Sequence, residues 1–360
     1  MNKKMKIISI FVPHEGCPNN CVFCNQRRIT GQKNIVVDGE YVKNTVEEYI
    51  RTIDKNIHIE IAFFGGSFTA IGIKVQEELL KAAKVFKDSG IINSIRCSTR
   101  PDAINDEILR LQKNYGMDII ELGIQSLDDG VLKTSNRGHS KKQSMEASRL
   151  IKEHGFILGH QIMPGLPGSS REKDIKTCLE SIDMEPHIVR IYPTLVIKDT
   201  ELFEMYEKGS YKPLTLEEAA EVSAYMYSLY SVNNINVIRI GLQNTESIRE
   251  DADVQAGPFH PAFRQLVEER IYSRVLESKL RRFDLKGKDI VIHAPLNLIS
   301  NIAGHNKKNI KRLKENFLIK QISFKEKNDD IIEIYHNDHI LCSFNKSEIF
   351  ENYLKMQQVD

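Results

Sequence analysis

The sequence predicts an α/β chain, a partial or open (β/α)6 barrel followed by a small α+β domain. Three observations predict it. Short β-branched runs alternate with longer amphipathic stretches up to about residue 245, which is the rhythm of parallel βαβ units. Polar and glycine-rich residues gather just after several of the strand-like runs, at the rim where barrels place their active sites. Beyond residue 245 that rhythm stops and a different element order begins.

The strand-like runs are Ile7–Val12, His58–Phe64, Ile91–Cys97, Asp118–Ile124, Phe156–Met163 and His187–Tyr192. Helical patterns fill the gaps at Val75–Asp88, Ile104–Leu111, Lys141–His154 and Glu172–Ile182, and again at Leu216–Val232. Gly65-Gly66-Ser67 follows the second strand, and Ser98-Thr99-Arg100-Pro101-Asp102 the third. Gln125-Ser126 follows the fourth, and Pro164-Gly165-Leu166-Pro167-Gly168 the fifth. One such loop is an ordinary turn, but several carrying polar chemistry should face one mouth. Glu246–Pro258 is polar and acidic and reads as a loop, while Pro261–Leu280 is a strongly patterned helix. From Asp289 the order reads strand, helix, loop, helix, strand, strand. The expected division is 1–245 for the barrel, 246–285 for a linker and connecting helix, and 286–360 for the small domain.

Bulk properties bound the function. A chain of 360 residues can bury a large core. Its 41% hydrophobic and 28% charged content is that of a soluble globular protein. Fifty basic and 49 acidic residues leave a net charge of +1, so global charge predicts no polyanion partner, although a local patch is compatible with it. No apolar run is long enough to span a bilayer, and no membrane partner is expected. Ile7–Val12 is too short for a secretory h-region. Free thiols suit a reducing cytoplasm, the expected location.

Cys17, Cys21 and Cys24 carry the chemistry. They stand in a C-x3-C-x2-C run, Gly16-Cys17-Pro18-Asn19-Asn20-Cys21-Val22-Phe23-Cys24-Asn25, just after the first strand. Three thiolates from one tight loop can reach one compact metal centre. Iron–sulfur clusters are commonly held by four. Three would leave one iron of a [4Fe–4S] cluster open to a substrate or cofactor. Structural zinc is an alternative and needs a fourth ligand, which His14 could supply. A dithiol pair at Cys21 and Cys24 would not need Cys17. Six cysteines in 360 residues are too few for a disulfide-stapled secreted fold.

The cysteine run resembles the cluster loop of radical S-adenosylmethionine (SAM) enzymes. Over about residues 5–245 the chain resembles the radical SAM domain of the elongator catalytic subunit and its bacterial relatives. The stretches that carry this are Glu121-Leu122-Gly123-Ile124-Gln125-Ser126, Asn136-Arg137-Gly138-His139, Met163-Pro164-Gly165-Leu166-Pro167-Gly168 and Arg190-Ile191-Tyr192-Pro193-Thr194-Leu195-Val196. The last continues through Thr200-Glu201-Leu202 and Gly209 to Tyr211-Lys212-Pro213. The resemblance implies that Cys17, Cys21 and Cys24 hold a [4Fe–4S] cluster and that SAM binds its open iron. It implies cleavage of SAM to a 5′-deoxyadenosyl radical that takes a hydrogen atom from the substrate. A one-electron donor such as flavodoxin or ferredoxin is implied as well.

The same resemblance places Gly65 and Gly66 against the SAM amino group, where the absence of a Cβ permits close approach. It places Gln125 and Arg137 at the SAM ribose and carboxylate, an Arg fork suiting a carboxylate. Gln161 stands where relatives often place another polar side chain. Ser98 replaces a carboxylate seen in some relatives, so no ribose role passes to it. Phe23 stands either near adenine or in loop packing. Arg190, Tyr192 and Arg239 would line the mouth on the substrate side. Cys97, Cys178 and Cys342 read as buried core positions.

Residues 246–360 show no glycine-rich pantetheine loop, so the acetyl transfer of the elongator subunit is not implied. Within them, Ile302-Ala303-Gly304-His305-Asn306-Lys307-Lys308-Asn309-Ile310-Lys311-Arg312 resembles the centre of a KH module, which clamps a nucleic-acid backbone with a GXXG loop between two helices. Gly304 matches the first glycine and Lys307 replaces the second. Lys308, Lys311 and Arg312 would contact phosphates; a solvated basic helix face is the alternative. The function expected is therefore a radical SAM enzyme acting on RNA, with tRNA as the partner. A radical SAM oxidoreductase of a small molecule, like coproporphyrinogen dehydrogenase, is the second reading. A non-enzymatic metal-binding or RNA-binding protein is the third.

Overall fold

The computed structural model describes residues 5–12, 17, 20–25, 36–52, 57–242 and 253–357. The main sheet has seven strands: β1 Met5–Phe11, β2 His58–Phe64, β3 Ser94–Thr99, β4 Ile119–Gln125, β5 Ile157–Ile162, β6 Ile188–Ile191 and, last in order, β8 Asn236–Ile240. Neighbours from β1 to β6 pair in parallel, and the sheet curls into a half-barrel. Six strands stand where the sequence predicts them. The seventh, Asn236–Ile240, is not among the strand-like runs read from the sequence.

Strand 3 begins three residues later than expected. Gly90 is left-handed at φ 75°, and the amides of Ile91 and Ile92 both bond Phe86 O, closing helix Ile73–Asp88. Asn93 then ties the turn to β2, its amide and side-chain oxygen both bonding Ile59.

Alternation gives the strands two faces. One face carries Ile8, Ile10, Ile59, Ile61, Phe63, Ile95, Ile120, Leu122, Ile124 and Leu158, all buried in the main core. That core also takes Val42 and Val46 from helix Gly39–Ile50, and Leu79, Leu80, Ala83 and Phe86 from helix Ile73–Asp88. Cys97 lies in the same layer, where burial raises its thiol pKa well above the usual range. Cys178 and Cys342 are buried as well. His160 is fully buried on this face. Ser148 donates to Ser144 O, so His160 Nε2 donates to Ser148 Oγ at 3.1 Å and Nδ1 accepts from Ser181 at 2.8 Å. His160 is a satisfied core residue.

The chain forms two compact units, Met1–Leu214 with Leu242–Phe259, and Thr215–Gly241 with His260–Asp360. The first also holds a short ribbon, β7 Val196–Ile197 antiparallel to β9 Val254–Ala256. The division therefore departs from the expected boundaries at 245 and 286. The physical reason is helix Phe263–Leu280. It buries Val267, Ile271, Val275, Leu276 and Leu280, so it is core and not a connector. Helices Leu216–Val232 and Lys346–Met356 join it, with Tyr227 and Phe350 ring centroids 5.0 Å apart.

The second unit also carries a four-stranded mixed sheet in the order β11-β10-β12-β13, formed by β10 Asp289–Ala294, β11 Gln321–Glu326, β12 Ile331–His336 and β13 His339–Asn345. Helices Leu296–Ala303 and Lys308–Phe317 connect β10 to its parallel neighbour β11. The α+β character is as predicted. The strand β13 and the last helix extend the expected order. Among the described residues, no helix is long and apolar enough to cross a membrane.

Candidate active site

The face of the sheet opposite the main core carries Phe11, Glu60, Phe64, Arg96, Ser98, Glu121, Gly123, Gly159, Gln161 and Arg190, by strand register; Gln125 Nε2 reaches the same side beside Gly123, and Tyr192 follows just past β6. This is the inner face of the half-barrel, and it is polar where the other is apolar. Gln161 Nε2 donates to Ser98 Oγ at 3.0 Å across the sheet.

At the C-terminal rim the segment Ser135–Arg137 grips the cysteine loop. Asn136 Nδ2 donates to Asn20 O at 2.7 Å, and Val22 N donates to Ser135 O at 3.1 Å. Arg137 Nη1 donates to Cys21 Sγ at 3.3 Å, and its Nη2 donates to Gly123 O at 2.6 Å. A Cβ on Gly123 would lie 2.6 Å from Arg137 Nη2, so glycine there makes the guanidinium's place. Gly65, at φ 85°, does the same for the backbone: its Cβ would lie 2.8 Å from Val12 O, immediately ahead of the loop. Gly66 follows at φ 32°.

Cys21 is buried, while Cys17 and Cys24 are half-buried. Cys24 N bonds Cys21 O at 3.0 Å in a tight turn. Burial pushes the Cys17 thiol up, against the Arg137 and Arg100 guanidiniums, which pull it down. Among the described residues, no three His, Cys, Asp or Glu side chains converge closely enough to hold a metal ion. His14, the alternative fourth zinc ligand, and Gly16 lie outside the described residues. Phe23 packs against Val22, Val196, Leu202 and Tyr211, which is the loop-packing role.

The rim holds a group of buried polar atoms with no hydrogen-bond partner among the described residues: Arg100 Nη1, Gln125 Oε1 and Arg137 Nε. Buried polar groups are nearly always paired, so such a concentration calls for a reason. Arg100 is 1% exposed and spends Nε and Nη2 on Asp102, at 2.9 and 3.0 Å. Burial first, then Arg137 and Arg100, push His139 down to about 3, so its ring is neutral. Gln125 sits at φ 67° beside a bulge in β4, a conformation a non-glycine residue holds only at a cost.

Below the rim runs a chain of buried charges across β2, β3, β4 and β6. Arg96 Nη2 lies 2.7 Å from Glu60 Oε2 at an angle too poor for a hydrogen bond, and Arg96 Nη1 donates to Glu121 Oε1 at 3.1 Å. Arg190 donates to both Glu121 oxygens, at 2.5 and 3.2 Å, and through Nη1 to Tyr192 Oη at 3.2 Å. Burial works against the Arg190 charge, but Glu121 and Tyr192 outweigh it and raise its pKa. Gly159 makes room for this chain, since a Cβ there would lie 2.8 Å from Glu121 Cγ. Glu60, Arg96, Arg100, Glu121 and His139 do not stand out as site residues in the sequence. The usable signal, for Glu60, Arg96 and Glu121, is a single charged residue inside a strand-like run.

Arg239 is half-buried on β8. In the second unit Gly304 turns the chain at φ 77° between the two helices, and Lys307 takes the left-handed φ of 59° that the missing second glycine would favour. Lys308 and Lys311 are exposed. Arg312 is exposed as well, and its Nε lies 2.5 Å and Nη2 3.3 Å from the carboxylate of the buried Glu277.

Comparison with known proteins agrees with this geometry. A model described as the Radical SAM superfamily matches residues 11–179, and one described as the Radical_SAM C-terminal domain matches residues 186–273. The tRNA uridine(34) acetyltransferase of Methanocaldococcus jannaschii is 30% identical over 264 residues, covering 62% of this chain and 48% of that protein. Elongator complex protein 3 of Mus musculus is 33% identical over 138 residues, covering 38% of this chain and 25% of that protein. The chain thus spans about half or less of the length of these relatives. The structure of Elp3 from Methanocaldococcus infernus, with an N-terminal deletion, superposes with a TM-score of 0.58 at 25% identity, over 78% of this chain and 65% of that one. The two family matches run almost without a break from the cysteine loop to beyond the last strand of the sheet that carries the site, and the chain belongs to the radical SAM superfamily of enzymes.

Proposed function

We propose that this enzyme holds a [4Fe–4S] cluster through Cys17, Cys21 and Cys24, cleaves SAM beside it, and acts on RNA, with tRNA as the substrate class. The observation that carries the cofactor reading is the group of partnerless buried atoms at the rim. Arg100 Nη1, Gln125 Oε1 and Arg137 Nε await partners from outside the described residues, and Arg137 also touches Cys21 Sγ. A polar, zwitterionic ligand supplies such partners. When bound, the cluster would supply the electron for reductive cleavage of SAM, taken from a donor such as flavodoxin or ferredoxin.

The chain's own residues do the rest. Ser135 and Asn136 hold the backbone of the cysteine loop. Arg137 would donate to a cysteine sulfur, and its free Nε would face the SAM carboxylate. Gly65 and Gly66 would let backbone approach the amino group, and Gln125 and Gln161 would present amides to the ribose side. Burial of Gln125 and Arg137 would help keep water from the reacting groups.

The RNA reading is supported by the names of the tRNA-modifying relatives and by the exposed lysines at the turn after Gly304. Anaerobic reconstitution tests the first part: reduced wild-type protein should convert SAM to 5′-deoxyadenosine, and Cys21→Ala should lose both cluster absorbance and cleavage. A Cys21→Ala protein that still cleaves SAM would sink the reading. For the second part, bulk tRNA binding should weaken with salt, and replacing Lys308 and Lys311 by Ala should lower the log–log salt slope by about 0.9 for each phosphate no longer neutralised. A slope that does not change would remove these lysines from the interface.

A further inference from the structure

We propose that the Arg190–Tyr192 pair, held in place by Glu121, is a hydrogen-bond-donor subsite for a carbonyl oxygen of a neutral planar ring, the class that includes carbonyl-bearing nucleobases. This rests on the RNA reading above and specifies what part of the RNA enters the half-barrel.

The inner face invests heavily in this pair. Glu60, Arg96, Glu121 and Arg190 are all at most 6% exposed. Apolar residues of similar volume would fill the same space at no cost in desolvation, so such a chain is not needed for stability. What it achieves is placement. Glu121 accepts three hydrogen bonds, two from Arg190 and one from Arg96, and Gly159 leaves it the room to do so. Arg190 is thereby fixed, and its Nη1 donates to Tyr192 Oη. With its oxygen accepting there, the half-buried Tyr192 has its own proton to give to a ligand.

The charge count selects the ligand. Two guanidiniums balance two carboxylates, and His58, which bonds Glu60 at 3.1 Å, stands at the opposite end of its strand from the rim. A carboxylate or phosphate entering here would meet no net positive charge and would be desolvated without compensation. A neutral carbonyl needs only a donor. Beside the donors stand two half-buried rings, Phe64 with its centroid 5.5 Å from the Arg190 guanidinium carbon, and Phe11 with its centroid 6.2 Å from that of Phe64. Aromatic faces of this kind suit a planar ring.

The test uses the full chain, reconstituted and saturated with SAM, carrying 3-fluorotyrosine at position 192. The probes are uridine, a neutral ring with carbonyls, and orotate, the same ring bearing a carboxylate. Uridine should shift the fluorine resonance, and orotate should bind at least about tenfold more weakly. Tyr192→Phe should lower uridine affinity by about five- to tenfold, the worth of one hydrogen bond. Glu121→Gln should move the fluorine resonance of the ligand-free protein, because Arg190 and Tyr192 lose their anchor. Equal binding of orotate, a silent resonance with uridine, or an affinity unchanged by Tyr192→Phe would overturn the subsite. A resonance unmoved in Glu121→Gln would overturn the positioning role; if that variant does not fold, the comparison with Tyr192→Phe still decides the subsite. Wild-type SAM cleavage and tRNA binding in the same preparation test the underlying reading separately, so failure of the subsite alone is recognisable.

Discussion

At the rim of the sheet, Ser135, Asn136 and Arg137 hold residues 20–22 through a carbonyl, an amide and a guanidinium. At the turn after helix Leu296–Ala303, two buried residues of the second unit do comparable work. Glu269 accepts from His305 N, and Asn309 Nδ2 donates to Glu269 O and Ile302 O, at 3.1 and 3.2 Å. Both regions pin a loop with buried polar groups, but they leave different remainders. The rim keeps Arg100 Nη1, Gln125 Oε1 and Arg137 Nε buried, with no partner among the described residues. The turn satisfies its buried Asn309 and presents Lys307, Lys308 and Lys311 to solvent. A buried donor without a partner is costly until a ligand arrives, whereas an exposed lysine is already solvated. Under the proposed function the rim would take a specific small ligand, and the turn would make weak, salt-dependent contact with an extended anion.

The comparison can be broken most forcefully beneath the rim. Glu121→Ala leaves Arg96 and Arg190 buried with too little negative charge, and urea unfolding should register a loss of about 3–5 kcal/mol. A loss under about 1 kcal/mol would mean that water already reaches these charges. Next, Arg137→Ala removes the donor to Cys21 Sγ and should lower SAM cleavage by about 10- to 100-fold. The equivalent change at the other loop, Lys308→Ala, should leave that cleavage within error.

The turn is probed by Gly304→Ala. Its φ of 77° and a Cβ position 2.9 Å from Asn309 Cγ should cost about 2 kcal/mol in denaturant melts, through strain and displacement of Asn309. A neutral result would show that the Asn309 anchor can shift freely.

An effect of similar size concerns pH. Burial pushes His160 down to about 3 from 6.5. The unfolded chain therefore takes the proton first as pH falls. The stability at stake is present above pH 6.5 and is lost as pH falls from there toward about 3, at about 1.4 kcal/mol per pH unit. Between pH 7 and 5 the wild type should lose roughly 2 kcal/mol more than His160→Gln by urea midpoint. Equal losses would return His160 to a hydrated environment.

Much of this is legible in the chain, and unevenly so. Helix Leu216–Val232 has the limits its pattern implies, and strand His58–Phe64 likewise, because both carry enough residues for a period to repeat. Asn236–Ile240 is not read as a strand from its pattern, and its place comes from its position at the end of the sheet order. The cysteine loop and the glycines Gly65 and Gly66 are visible as motifs. Arg312 reads as a free cation in the sequence because its partner, Glu277, lies 35 positions away on another helix. The helix Phe263–Leu280 is legible as a patterned helix, but the helices it packs against, Leu216–Val232 and Lys346–Met356, lie far from it along the chain.

By itself, then, the sequence determined the parallel α/β class, the three thiols after the first strand and the polar segments that follow the others. These are local properties: side-chain period, residue type and spacing along the chain. Only the tertiary structure decided that Glu60, Arg96, Glu121 and Arg190 meet in one buried chain, that Gly159 and Gly123 exist to admit their neighbours, and that Arg137 reaches Cys21. Those contacts join residues from different strands and loops. Their energies depend on burial and on distances of a few ångströms, which the order of residues does not contain until the sheet has closed around them.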